Sequence, residues 1–119
     1  IKPIVKTTGY ILYSEKFIYI GFRAESKEAI RASIRKRDDN GFWNDDAIGI
    51  NLDTYGDARN NIFLGSNAYG SQYDIRMLNT IEEEKRYDPA FDTEYESIGT
   101  INGNSFFVEI KIPFLSLAI

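Results

Sequence analysis

The chain has 119 residues, of which 43% are hydrophobic and 14% aromatic, so it fits one folded domain rather than a disordered segment. Its formal net charge of −4 argues against nucleic-acid binding, because proteins that bind nucleic acids present a basic surface. It contains neither histidine nor cysteine, which excludes disulfides, thiolate nucleophiles, zinc fingers and His-dependent catalytic triads. No apolar run approaches the roughly 18 residues that a membrane-spanning helix needs.

The N-terminal third is predicted to form strands. Residues 11–13 and 17–24 predict a hairpin around Ser14-Glu15-Lys16. Positions 17–22 are almost all apolar, so we expect that strand to be buried on both faces. Residues 30–35 alternate between apolar and charged side chains, which predicts a further strand, although Ile30 and Ile34 would also suit a helix.

Alternation is clearest in two later segments. Residues 47–54 place Ile48, Ile50, Leu52 and Thr54 on one face, and residues 106–112 place Phe106, Val108, Ile110 and Ile112 on one face. Between 94–101 and the second of these strands lies Asn102-Gly103, a pair typical of a tight hairpin.

The remaining elements are short. Residues 61–65 and 72–78 predict two strands, and residues 80–86 predict a helix-prone or loop-like interlude that ends at Pro89. Pro113 is expected to close the last strand before a turn of helix at 114–117. Strands at this spacing, separated by Gly, Asn and Asp, are typical of a β-sandwich or jelly roll.

Aromatic and amide side chains suggest a sugar-binding surface. Sugars stack their C–H faces on flat rings and offer a rim of hydroxyls to fixed polar groups. Trp43, the single tryptophan, lies in a loop-like stretch, and Tyr69 and Tyr73 flank Gly70-Ser71-Gln72. The alternative for Trp43 is a position at the edge of the core, and the alternative for Arg59 is a surface ion pair. The predicted ligand-binding set is Trp43, Tyr55, Arg59, Asn67, Tyr69, Gln72 and Tyr95.

Six aspartates could supply oxygen ligands to calcium. Asp53, at a strand end beside a Gly-containing turn, is the first candidate, together with Asp57. Their spacing does not match an EF-hand loop, and the alternative is that they cap turns by accepting hydrogen bonds from backbone N–H groups. A structural calcium ion is therefore one expectation, and no other cofactor is expected. The six residues are Asp38, Asp39, Asp45, Asp46, Asp53 and Asp57.

Several motifs occur in the order found in a known family. They are Ile18-Tyr19-Ile20-Gly21-Phe22-Arg23-Ala24, the segment from Ile30 to Asp39, Asp53-Thr54-Tyr55-Gly56-Asp57-Ala58-Arg59, Asn67-Ala68-Tyr69-Gly70-Ser71-Gln72-Tyr73-Asp74, and Val108-Glu109-Ile110-Lys111-Ile112-Pro113-Phe114. With these motifs the chain resembles the carbohydrate-binding family 9-like domains, which are β-sandwich modules of secreted and cell-surface bacterial proteins related to DOMON-type modules.

The resemblance implies an antiparallel β-sandwich of jelly-roll type, formed by residues 1–119 as a single domain. Since the chain begins with Ile1 rather than Met, we expect a truncated segment of a larger protein that is extracellular, periplasmic or in the bacterial outer membrane. Its partners would be an oligo- or polysaccharide and other domains of the parent protein. Phe91 and Tyr95 lie where relatives often carry tryptophan.

The expected function is non-catalytic carbohydrate binding in a protein of glycan binding or degradation. Glycoside hydrolysis by this segment is disfavoured, because no acidic residue stands out as a buried general acid. A haem-binding sensor like some DOMON modules is disfavoured by the lack of histidine. The alternative is a structural or assembly sandwich that packs against an outer-membrane region and binds no sugar.

Overall fold

The computed structural model describes residues 5–79, 82, 86–88 and 92–117. These residues form β-strands and two short 3-10 helices, Asn40–Asn44 and Phe114–Leu117, and include no α-helix. Within these ranges, no helix has the length and hydropathy that crossing a bilayer requires. The strands are β1 (Thr7–Tyr13), β2 (Phe17–Glu25), β3 (Ala47–Leu52), β4 (Asn61–Asn67), β5 (Gln72–Met77), β6 (Tyr87–Asp88), β7 (Glu96–Asn102) and β8 (Ser105–Pro113).

Two antiparallel four-stranded sheets confirm the predicted β-sandwich. The first sheet has the order β1-β2-β8-β7, and the second has the order β3-β4-β5-β6. The second sheet is a meander, and the first joins two hairpins through the pairing of β2 with β8. In the described residues this connectivity differs from the two Greek keys of a complete jelly roll.

The main core lies between the sheets and follows the predicted alternation. The four β8 residues predicted to face inward are all buried, because every second side chain of a strand points to the same face. Their partners in the register of β2 also face the core. These pairs are Phe106 with Ala24, Val108 with Phe22, Ile110 with Ile20, and Ile112 with Ile18.

A second, smaller core covers the outer face of the second sheet. The 3-10 helix Asn40–Asn44 brings the buried Phe42 ring onto Tyr73 of β5, with the ring centroids 5.3 Å apart. Ile75 and the half-buried Phe63 complete this cluster. As a result, the second sheet is covered on both faces, whereas none of the described residues forms a layer over the outer face of the first sheet.

The strand predicted at residues 30–35 is wrong. Backbone N–H groups of this segment donate to aspartate side chains, where a strand would donate to the carbonyls of a partner strand. Asp45 accepts hydrogen bonds from the backbone N–H groups of Ser33 and Ile34, at 3.0 and 2.8 Å. Asp46 accepts one from the N–H of Arg31 at 2.6 Å. The segment therefore has no regular secondary structure, although Ile30 and Ala32 still pack against the main core.

Both predicted hairpins are present. In the turn between β7 and β8, Gly103 and Asn104 form the two-residue loop, and Gly103 adopts φ of +63°, which favours glycine. The expectation that β2 is buried on both faces is wrong, since Tyr19 points outward and is exposed. Phe91 and most of residues 80–86 lie outside the described residues.

Candidate functional site

The outer face of the first sheet carries a groove of about 420 Å³. Its walls come from all four strands, because alternate residues of each strand point to this face. The register places Tyr10 opposite Gly21 and Leu12 opposite Tyr19, and β8 continues the row with Glu109 and Lys111. Ile98 and Glu96 of β7 close the far side.

Gly21 forms the floor of this groove. A Cβ atom at this position would lie 3.3 Å from the Phe107 ring and 3.7 Å from the Tyr10 ring. The missing side chain therefore leaves space between two aromatic rings, one from the edge strand and one from the centre of the sheet. Tyr10 and Tyr19 are exposed by 54% and 39% respectively, so ring surface is available to a ligand.

Charged groups lie beside these rings. Lys111 Nζ is 4.2 Å from the centroid of Phe17 and 3.9 Å from a carboxylate oxygen of Glu96. Glu109 also lines the groove. The groove thus combines flat apolar rings with an ammonium group and two carboxylates, which can donate to and accept from hydroxyl groups.

None of the seven residues predicted from sequence to bind a ligand lines this groove. The sequence predicts no ligand contact for Tyr19 or Phe107, because nearly continuous apolar runs such as residues 17–22 make outward rings hard to distinguish from inward ones. An aromatic at every second position that faces away from the core is the signal that could have found them.

Trp43 lies over the second sheet and is 56% exposed. Its ring contacts Phe42, Phe63 and Tyr73, at centroid distances of 5.2, 5.4 and 5.1 Å. One side of the indole therefore packs on the smaller core while the remainder faces solvent. Tyr55 and Arg59 are also exposed, in the loop between β3 and β4. Ligand contacts by Trp43, Tyr55 and Arg59 stay predictions.

Asn67 has a structural role instead of the predicted contact with a ligand. It is completely buried, and its Nδ2 donates to the Ile34 carbonyl at 2.6 Å and to Asp45 at 3.1 Å. Its Oδ1 accepts from the N–H groups of Tyr69 and Ser71. These four bonds use the whole hydrogen-bonding capacity of the amide, so nothing remains for a sugar hydroxyl.

Gln72 and Tyr95 are likewise occupied by internal bonds. Gln72 Nε2 donates to the Tyr95 carbonyl at 2.6 Å and to Ser97 Oγ at 3.0 Å, while its Oε1 accepts from Arg37. The buried Tyr95 hydroxyl donates to the Gly65 carbonyl at 2.8 Å, and burial raises the pKa of Tyr95. Both side chains therefore tie the loop before β7 to the second sheet, contrary to their predicted role at a ligand.

Tyr69 is at the surface, where the Arg35 guanidinium lies 3.9 Å from the centroid of its ring. A guanidinium over an aromatic face is a favourable cation–π arrangement, and it covers part of the ring that the sequence assigned to a ligand. Direct sugar contact by Tyr69 stays a prediction.

Asp53 and Asp57 cap the turn between β3 and β4, and calcium binding by this pair stays a prediction. Asp53 accepts from the N–H groups of Gly56 and Ala58 at 2.8 and 2.7 Å. Asp57 accepts from those of Asn60 and Arg59 at 3.0 and 2.8 Å, and these bonds lower the pKa of Asp57. This is the capping role weighed as the alternative to calcium binding.

Three other aspartates do converge, and they form what we call the carboxylate cluster: Asp38, Asp74 and Asp92. One carboxylate oxygen of each lies within 4.8 Å of the others. Arg37 Nη2 is 3.1 Å from Asp74 and its Nε is 3.4 Å from Asp38. Burial and the adjacent Asp38 carboxyl raise the pKa of Asp74 to about 6. Partial burial works against ionisation of Asp38, but hydrogen bonds from Asp74 lower the pKa of Asp38.

The pKa of Asp74 predicts how stability depends on pH. The folded protein keeps the Asp74 proton up to about pH 6, whereas the unfolded chain releases it near the ordinary pKa of 3.8. At this site the unfolded state therefore binds fewer protons in this window, and the contribution of Asp74 to the free energy of unfolding should fall as the pH rises from about 4 to 6. Urea unfolding in metal-free buffer, followed by Trp43 fluorescence, measures this change. The Asp74→Asn variant should show a smaller fall, and an identical profile for the two proteins would contradict the assignment.

Comparison with known proteins supports the fold. The structure is similar to that of a "putative carbohydrate-binding protein" from Bacteroides uniformis ATCC 8492, with a TM-score of 0.73 and 14% sequence identity. The similarity covers 96% of this chain and 55% of that protein, so the chain spans about half of its length. At this identity the likeness shows a shared β-sandwich fold. No family model matches the chain. No curated protein matches it by sequence.

Proposed function

We propose that this chain is a non-catalytic carbohydrate-binding module of the family 9-like type, and that an oligo- or polysaccharide binds in the groove of the first sheet. The observation that carries the proposal is the pair of exposed rings, Tyr10 and Tyr19, in a groove whose floor is Gly21. Pyranose rings stack on such surfaces through their C–H faces. The name of the Bacteroides uniformis protein with the same fold supports this choice of ligand.

The polar groups of the groove suit the hydroxyl rim of a sugar. Glu96 and Glu109 accept hydrogen bonds, and Lys111 donates them. A general acid for glycoside hydrolysis would need a carboxyl group whose pKa is raised by a buried site. Glu96 and Glu109 are both exposed to solvent, so the groove lacks such an environment among its carboxylates. Binding without catalysis is the activity that this arrangement supports.

The sequence resemblance adds a cellular setting to this proposal. Family 9-like modules belong to secreted and cell-surface bacterial proteins, and the module would deliver its parent protein to a glycan outside the cytoplasm. The parent protein would contribute to glycan binding or degradation through its other domains.

Alanine substitution of the groove tyrosines tests the proposal. A glycan array should identify a ligand for the folded chain, and calorimetry with that ligand should show affinity about tenfold weaker in Tyr10→Ala and Tyr19→Ala, because each loses one stacking ring. Tyr13→Ala is the matched control: Tyr13 lies on the same strand as Tyr10, is 81% exposed and points to the opposite face. The affinity of the Tyr13→Ala variant for the same glycan should equal that of the unmodified chain.

Trp43→Ala distinguishes the groove from the surface predicted by sequence. Loss of binding in Trp43→Ala, with normal binding in both groove variants, would move the ligand to the second sheet. Equal loss in Tyr13→Ala and Tyr10→Ala would indicate damage to β1 as a whole and would contradict stacking in the groove.

A second function, docking onto another region of the parent protein, is favoured by β1. Among the described strands β1 lies at the edge of its sheet, and Ile11 and Tyr13 are exposed even though they point toward the inner face. Edge strands with apolar side chains are ready to pair with another strand. Absence of binding to every glycan by a demonstrably folded chain would favour this function over the first.

A further inference from the structure

The carboxylate cluster joins three distant parts of the chain. Asp38 precedes the 3-10 helix Asn40–Asn44, Asp74 lies on β5, and Asp92 lies in the loop before β7. The backbone holds Asp38 in place, because its N–H donates to the Gln72 carbonyl at 2.9 Å and its Oδ1 accepts from the Asp74 N–H at 3.1 Å. Backbone hydrogen bonds of the fold therefore hold Asp38 beside Asp74, and Asp92 approaches both from the loop before β7.

The two oxygens of Asp74 have different surroundings. Oδ2 accepts from the Thr93 N–H at 2.7 Å and from Arg37 Nη2 at 3.1 Å. When Asp38 and Asp74 are both ionised, the buried Oδ1 accepts no hydrogen bond from the described residues, and Asp74 as a whole is only 1% exposed. A buried carboxylate oxygen without a donor is costly, and such atoms in folded proteins commonly mark an ion or water.

The charge balance also leaves the cluster short of positive charge. Three ionised carboxylates carry −3, and within the described part of the chain Arg37 supplies one positive charge to them. The remaining two negative charges match one divalent cation. Arg37 and the Thr93 amide engage Asp74 at Oδ2, so they leave Oδ1 for a ligand.

We propose that Asp38, Asp74 and Asp92 bind a single calcium ion. Calcium takes oxygen ligands at about 2.3–2.6 Å, so ligands on opposite sides of it are about 4.6–5.2 Å apart. The spacing of the three oxygens, within 4.8 Å, allows one such ion to contact all of them. Calcium also accepts the irregular geometry of one buried and two more exposed carboxylates, with carbonyls or waters completing six to eight ligands.

The ion would link two loops to strand β5 of the second sheet. One loop leads into the helix that carries Phe42 and Trp43, and the other leads into β7. This site is separate from the turn of Asp53 and Asp57, where the sequence predicted calcium, and it is also distinct from the groove proposed for sugar. Its test is therefore independent of the carbohydrate-binding proposal.

Calcium titration of the chelator-treated chain tests the site. Calorimetry with calcium chloride should give one site per chain, and the thermal midpoint should rise by several degrees in calcium relative to chelator, because a ligand that binds only the folded state stabilises it. The Asp92→Asn variant should bind calcium at least about tenfold more weakly, since ligand charge sets the affinity. Asp92 is exposed, so this variant should fold even where Asp74→Asn does not.

Asp57→Asn is the matched control, because Asp57 is an exposed aspartate in the competing turn. It should bind calcium like the unmodified chain. Calcium binding that survives Asp92→Asn but is lost in Asp57→Asn would overturn the proposal and restore the site predicted from sequence. Failure of calcium to bind the unmodified chain at millimolar concentration would also overturn it.

Discussion

Substitution of Gly99 by alanine should destabilise the protein strongly, although it adds only one methyl group. A Cβ atom on Gly99 would lie 2.2 Å from the carbonyl oxygen of Ala68 and 2.6 Å from the backbone nitrogen of Gly70. Both contacts are with backbone, so neither atom can rotate away. We expect the free energy of unfolding to fall by about 4 kcal/mol, or folding to fail, because strand β7 must move away from the loop between β4 and β5.

Chemical unfolding followed by Trp43 fluorescence measures this effect. Gly9→Ala is the control, since Gly9 is also a strand glycine but its Cβ would meet nothing closer than 3.4 Å. That variant should unfold within about 1 kcal/mol of the unmodified chain. A Gly99→Ala protein as stable as Gly9→Ala would show that the two sheets do not approach as closely as the structure indicates.

Asn67→Ala should have the second largest effect, about 3 kcal/mol. The substitution removes four hydrogen bonds and leaves the Ile34 carbonyl and the N–H groups of Tyr69 and Ser71 without the partner that Asn67 provides in a partly buried setting. Asp45 would lose one of the donors that lower the pKa of its carboxyl against the opposing effect of burial. The same unfolding experiment measures the loss.

Asn51→Ala provides the comparison for Asn67→Ala. Asn51 is an asparagine on the neighbouring strand β3, but its side chain is exposed. Its replacement should change the free energy of unfolding by about 0.5 kcal/mol or less. If the two variants have equal stability, Asn67 does not have a structural role. The prediction that Asn67 contacts a ligand would then be favoured again.

Much of the fold could be predicted from local patterns. The alternation in β3 and β8 identified the inward residues because one face of each strand meets the core and the other does not. The turn at Gly103 was visible because few residues other than glycine tolerate its positive φ. These features depend on near neighbours in the sequence, and that is why a single sequence sufficed.

The segment at 30–35 shows where local patterns fail. Its alternation is real, but its backbone groups bond to Asp45 and Asp46, which lie 11 to 15 residues further along the chain. No local pattern indicates that backbone N–H groups will donate to a carboxylate side chain and not to the carbonyls of a neighbouring strand. The same limit applies to Asn67, whose amide looked suited to a sugar until the structure showed its four internal bonds.

The ligand surface was missed for a related reason. From sequence, a tryptophan in a loop is expected to be more exposed than tyrosines within apolar strands. In the structure, however, Trp43 packs partly on the smaller core, while Tyr10 and Tyr19 face solvent. Which face of a strand is covered depends on the other sheet and on the 3-10 helix. In the described part of this protein only the second sheet receives that helix, so the open face belongs to the first sheet.

This unequal covering of the two sheets separates recognition from folding. Apart from Ile20 and Ile110, the side chains that line the groove point away from the main core, and the residues that hold the sandwich together lie on the opposite face of the same strands. Mutations can therefore alter the walls of the groove one residue at a time with little penalty in stability. A scaffold organised in this way can diversify its choice of ligand during evolution while its interior stays constant.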